Sequence, residues 1–205
     1  MKNRIAVLAA IAAFAGIAVA HAEEAAGPKL ASGLLMKQAD KLVFAPCHDR
    51  SYAVMDDISS NGELTGALNR IGLEAGKKLY VEVFAVLEGA NLKASSLNFA
   101  RPDGRCQPPG NKEEAWRAAG KGWALAAGGD QVLVRRPGKP DVAVPYAPFK
   151  TEGAVSSYEA SRAGNKLALR FERGACQDKA SDVLVGWTAT ATVNGETLKG
   201  CAWQR

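Results

Sequence analysis

From Leu42 onward the chain is a succession of short apolar–polar alternations, most of them closed by turn-forming residues such as glycine, proline, asparagine or aspartate. A period of two places successive side chains on opposite faces of extended backbone, so the pattern predicts half-buried β-strands. LVFAPC (42–47) and SYAVMD (51–56) flank a turn at His48-Asp49-Arg50. In LYVEVFAVLE (79–88), Leu79, Val81, Val83, Ala85 and Leu87 share one face, and ASSLNFA (94–100) is a further strand. One helix interrupts them. Leu64, Leu68 and Ile71 recur at helical spacing, Asn61 stands where a cap is needed, and Gly72 ends the run. Residues 23–40 show no sustained period beyond a short helix and read as a lead-in segment.

The second half reads as a β-meander: WALAA, QVLVRR, VAVPY, SSYEAS, KLALRFE and WTATATV, each ended by turn residues. Its last hairpin is the best-specified feature of the chain. Asn194-Gly195 is a type I′ turn signal, and two-residue closure pairs Val193 with Glu196, Ala191 with Leu198, Ala189 with Gly200 and Trp187 with Ala202. The other face then carries Thr188, Thr190, Thr192, Thr197 and Lys199, with Cys201 beside Thr188. The stretch RPDGRCQPPGNKEE (101–114) is rich in proline and glycine and marks a linker. The expected fold is mostly β with minor α content, in two small disulfide-stabilised domains of meander or barrel-like form. Their bounds are 41–112 (with the one short helix) and 113–205.

The N-terminus changes the charge and the compartment. Lys2 and Arg4 precede an uncharged run from Ile5 to Ala20, and Ala20-His21-Ala22 is a small-residue cleavage site, so residues 1–22 read as a secretory signal peptide. The run is shorter than the roughly 20 residues that span a bilayer, and no later stretch approaches that length. No cysteine follows the cleavage site directly, which argues against a lipid anchor. Cleavage removes two cations and no acid, lowering the net charge from +5 to +3, and leaves His48 as the only histidine. Nucleic acid is therefore not an expected partner, since +3 over the mature chain is weak and no recognition motif occurs. Export to an oxidising compartment makes two disulfides the default for Cys47, Cys106, Cys176 and Cys201. Of the three pairings, Cys47–Cys106 with Cys176–Cys201 is preferred, because each pair lies within one run of strand-like sequence. No Cys-x-x-Cys occurs, so a zinc module is not expected.

Candidate chemistry is sparse. Cys47 and His48 are adjacent and point to opposite faces of extended backbone, so they cannot join side chain to side chain without a tight turn, and no G-x-S-x-G elbow accompanies His48. Gly72-Leu73-Glu74-Ala75-Gly76-Lys77-Lys78 has three residues between its glycines where a phosphate loop needs four. Asp56-Asp57 and Glu113-Glu114 are adjacent carboxylates of the kind usually solvated. Asp178, Ser181 and Asp182 are expected to bond turn amides, with a weak cation site as the functional alternative. A basic and aromatic group, Trp116, Arg117, Lys121, Trp123, Arg135, Arg136, Lys139 and Lys150, is the candidate binding surface for an anionic polymer or the acidic face of a partner. Its structural alternative is a solvated surface over tryptophan core residues. No catalytic residue, cofactor or metal is assigned.

Cys176-x-Asp178-x-x-Ser181-Asp182, Thr188-Ala189-Thr190, Asn194-Gly195, Thr197 and Gly200-Cys201-Ala202 together resemble the closing signature of bacterial envelope proteins and lipoproteins with META/HslJ-like domains. Phe44-x-Pro46-Cys47, the Leu79–Glu82 stretch and Cys106 are similar to small β domains of NlpE-like lipoproteins. The chain departs from the signature where its methionine is Ala180, its Tyr-Pro pair is Val185-Gly186, and its G-N-E-P-F-W segment is reduced to Gly120-Lys121-Gly122-Trp123. The resemblance implies a periplasmic or secreted protein of a Gram-negative envelope with no known catalysis. Three functions follow as expectations. The first is non-enzymatic binding of an envelope protein or anionic polymer in support of envelope integrity. The second is inhibition of a lysozyme or other hydrolase, and the third is an enzyme using His48 or a labile disulfide. Basicity disfavours inhibition of lysozymes, which are usually basic themselves.

Overall fold

The computed structural model describes residues 27–107, 113–178 and 182–205. The signal segment 1–22 and Ser181 lie outside them. The fold is mostly β, as its alternations predict, with both expected disulfides formed: Cys47–Cys106 and Cys176–Cys201.

The first five strands are β1 (Lys29–Gln38), β2 (Lys41–Pro46), β3 (Ala53–Asp57), β4 (Leu79–Glu88) and β5 (Asn91–Arg101). β1 pairs with β2 and β4, β2 with β3, and β4 with β5, all antiparallel. A parallel pairing of β3 with β5, Val54↔Asn91 to Asp57↔Ala94, closes the barrel. This order, with a helix between the third and fourth strands, is the connectivity of a five-stranded OB-type barrel. Leu35, Phe44, Met55, Leu79, Val81 and Val83 fill it, and the helix α1 (Glu63–Asn69) adds Leu64, Ala67 and Leu68 to the same core.

Two expectations for this half are corrected. Residues 29–38 are not a lead-in but β1, seated between β2 and β4. Nor does Asn61 cap the helix, since it lies within a 3₁₀ turn (Ser60–Gly62) in the left-handed conformation. The capping groups stand earlier. Ser59 Oγ accepts from the Leu64 amide (2.9 Å) and Asp57 accepts from the amides of Ser59 (2.9 Å) and Thr65 (2.8 Å).

The second half holds β6 (Glu114–Gly120), β7 (Trp123–Gly128), β8 (Gln131–Arg135), β9 (Val142–Pro145), β10 (Lys150–Glu152), β11 (Val155–Arg162), β12 (Asn165–Asp178), β13 (Val183–Val193) and β14 (Glu196–Gln204). It is two meanders, β6 to β9 and β10 to β14, joined where β14 pairs with β6. The closing hairpin has all four expected pairs, with Thr188 opposite Cys201. Its turn residues Asn194 and Gly195 both have positive φ, as a type I′ turn requires. The curled sheet encloses Trp116, Phe171 and Trp187, with Trp116 5.0 Å from Phe171 and 5.1 Å from Trp187 between ring centroids. The Tyr158 hydroxyl donates to the Pro145 carbonyl, drawing β11 against β9.

β13 belongs to both halves. Its first residues pair with the barrel (Leu184↔Ala100, Val185↔Phe99) and its later ones with β14. Leu184 lies in the barrel core, so that core is completed by a residue from beyond the linker. Close approach at this point needs glycine: a Cβ on Gly186 would lie 1.8 Å from the Leu97 carbonyl oxygen.

Candidate binding cleft

The seam between barrel and second sheet is tied by a buried polar network. Asn98, fully buried on β5, donates to the Gln204 carbonyl (2.9 Å) and accepts from the Gln204 amide (2.8 Å), continuing the sheet with a side chain. Its amide also donates to Glu82 (2.8 Å), whose other oxygen accepts from the Tyr80 hydroxyl (2.7 Å). Both Glu82 oxygens are thus bonded, which is what a carboxylate this buried requires. Burial, reinforced by the hydrogen bond to Glu82 and its charge, pushes the Tyr80 phenol well above its ordinary value. The arrangement holds the C-terminal strand against the barrel.

Beside this seam lies a cleft of about 580 Å³. One wall is aromatic: Phe99 of β5 and Trp203 of β14, with ring centroids 5.7 Å apart and both half-buried. The Cys176–Cys201 disulfide forms part of the lining, and Asp178 stands at its rim. Two exposed cations complete it: Lys121, in the turn between β6 and β7, and Lys199 on β14. Neither lysine forms an ion pair with a described residue, so both charges are available to a ligand. Glycines bring these elements together. Gly120 and Gly200 face each other across the β6–β14 ladder, where a Cβ on Gly200 would lie 2.1 Å from the Ala119 carbonyl oxygen. The closeness lets the Trp123 indole donate to the Lys199 carbonyl (3.0 Å), fixing the backbone beneath one of the two lysines. The cleft therefore combines flat apolar rings, which stack on ring-shaped ligands, with cations that attract negative charge.

The residues singled out in the sequence are dispersed. Trp116 and Trp123 are buried, the former in the aromatic core and the latter under Lys199. Arg136 and Lys139 both grip Glu196, at 3.0 and 2.7 Å, and Arg135 lies 3.6 Å from Asp141. The Lys139 hydrogen bond, helped by Arg136, holds the Glu196 carboxyl below its usual range. Arg117 bonds Glu114 at 2.7 Å and Lys150 lies 2.7 Å from Glu152. Of the whole basic group, Lys121 is the one that lines the cleft. Asp178 lines it too, while Asp182 takes a left-handed turn conformation at the start of β13. His48 sits in the exposed turn after β2, next to bridged Cys47.

Phe99, Lys199 and Trp203 carried no signal of their own in the sequence. Phe99 reads as an ordinary strand residue and Trp203 lies just beyond the last predicted pair, and only the β13–β5 and β14–β6 pairings bring them together. Among the described residues no cluster of three or more His, Cys, Asp or Glu side chains could hold a metal ion, and no helix is long and apolar enough to cross a membrane. Comparison with models of protein families, with curated proteins and with solved structures finds no match to this chain.

Proposed function

We propose that this chain is an exported, non-enzymatic protein of the bacterial envelope, and that it binds an anionic envelope polymer in the cleft between Trp203, Phe99, Lys121 and Lys199. The reading is carried by half-buried aromatic rings beside two lysines that form no ion pair with a described residue. Aromatic faces and unpaired cations are the chemistry of binding a sugar-based polyanion. Two disulfides accord with an oxidising compartment, and the leader-like N-terminus and the closing signature from Cys176 to Ala202 support a periplasmic location. The outer face of β2 and β3, where OB-type barrels often bind, carries Val43, Ala45 and Val54 beside Lys41 and Asp56 and no aromatic ring.

Co-sedimentation of the mature chain with purified envelope sacculi and with lipopolysaccharide vesicles tests the reading. At low salt the protein is expected to pellet with one of the two, and to be released as ionic strength rises. The double variant Lys121→Glu/Lys199→Glu is expected to stay in the supernatant. A protein that sediments with neither, or a double variant that sediments as the parent does, removes the proposal.

A further inference from the structure

On the opposite side of the seam a second cavity of about 300 Å³ lies between α1, β5 and the β12–β13 pair. Among the described residues that line it, Arg173 is the one cation. β12 carries an extra residue here: Arg173 faces Trp187 and Cys176 faces Val185, so Gly174 and Ala175 stand opposite Gly186 alone. A bulge of this kind re-aims the adjoining side chain. The guanidinium of Arg173 lies 4.3 Å from the centroid of the Trp187 ring and 5.4 Å from that of Phe84. It thus bridges second sheet and barrel, and its Nη1 donates to Ser96 Oγ (2.7 Å). Glu172, the preceding residue on β12, is committed to Arg170 (2.9 Å). No described carboxylate lies within ion-pair distance of Arg173.

We infer that Arg173 anchors a second ligand site, one that takes a carboxylate group. A guanidinium is a rigid fork of five donors matched to a two-oxygen anion, and ring contacts that fix its plane lower the ordering cost of binding. Ser60, Ser95 and Ser96 add hydroxyls to the lining. Glu63 at the rim sets the charge limit. Repulsion from Glu63 is about twice as large for a dianionic phosphate as for a singly charged carboxylate at the same place. The volume suits a single sugar acid or amino acid rather than a long segment. This site shares no residue with the cleft of Trp203 and stands or falls separately from it.

Arginine-detected NMR titration of the folded protein tests the inference with three probes: glucuronate, N-acetylalanine and inorganic phosphate. A saturable shift of the Arg173 Nε–Hε signal and the Gly174 amide is expected with a carboxylate, and the responding probe tells a sugar acid from a peptide end. Phosphate is expected to bind at least tenfold more weakly. Arg173→Met keeps an apolar stem over Trp187, and should weaken the carboxylate response, read at Gly174, at least tenfold. Glu63→Gln, a near-isosteric change at an exposed position in the first turn of α1, should narrow the gap between phosphate and carboxylate. The Lys121→Glu/Lys199→Glu variant should respond as the parent does. Absence of a saturable response to both carboxylates overturns the inference, as does an Arg173→Met protein that binds equally well. Phosphate binding as tightly as carboxylate, or a Glu63→Gln protein with an unchanged preference, overturns the carboxylate assignment.

Discussion

Asp57 ends β3 and, with Ser59, supplies the acceptors that the first amides of α1 lack. Burial works against its charge, but hydrogen bonds from Ser59 and Thr65 outweigh it and hold the carboxyl below its ordinary value. A pKa depressed by folding contributes stability that is complete above the unfolded value of about 3.9 and is lost as pH falls through the lower folded value. Asp57→Ala is therefore expected to cost about 1–2 kcal/mol near neutral pH. The gap from the parent should narrow as pH falls below about 4 toward the depressed folded value. Urea unfolding of both proteins across that range checks it, and a gap that does not narrow on acidification refutes it. At this scale the sequence was partly legible. A cap was expected in the right turn, but Asn61 and Asp57 are both good cap residues, and only the path of the chain decides which oxygen meets the amides. The buried tryptophans were likewise visible as core candidates, whereas Asn98 was not, because its partner is the backbone of Gln204 over a hundred residues away.

At the scale of elements, strands with local closure were legible and strands set by distant partners were not. The last hairpin was readable because a two-residue turn fixes register without outside help. β1 escaped notice because KLASGLLMKQ does not alternate. Leu35 faces the barrel core while Leu34 and Met36 on the other face are also half-buried, and Gly33 is there because the Phe44 ring lies where a Cβ would go. β6 is short and alanine-rich, and its meaning comes from β14 beside it. Gly186 makes the same point between halves. Gly186→Ala would drive a methyl into the Leu97 carbonyl where β13 passes from the second sheet to the barrel. The loss expected in thermal unfolding is near the upper end of the roughly 1–3 kcal/mol typical of overpacking. An alanine variant as stable as the parent would show that the two backbones are not in contact there.

The whole molecule is two closed or nearly closed sheets joined at β13 and by Asn98, with a disulfide in each. Cysteine pairing was legible in outline, since each bridge joins cysteines within one half. The parallel β3–β5 pairing and the shared β13 were not, since neither leaves a local pattern. In the loop-entropy account, removing the Cys47–Cys106 bridge costs about 4 kcal/mol and removing Cys176–Cys201 about 3.5 kcal/mol. Paired cysteine-to-alanine variants in guanidinium unfolding should show losses of this order. The Cys176/Cys201 pair should also lose binding, because that bridge lines the cleft, while the Cys47/Cys106 pair at temperatures where it folds should bind as the parent does.

In the proposed site, ligand meets the protein at Trp203. The other tryptophans, Trp116, Trp123 and Trp187, are buried, so Trp203 is the half-exposed indole and the natural reporter. The direct measurement is a tryptophan-fluorescence titration of the mature chain with soluble fragments of the envelope polymer that sediments it. A saturable emission change is expected that weakens with salt, disappears in Trp203→Phe, and requires Lys121 and Lys199. A saturable change of the same size in Trp203→Phe would place the ligand elsewhere and contradict it.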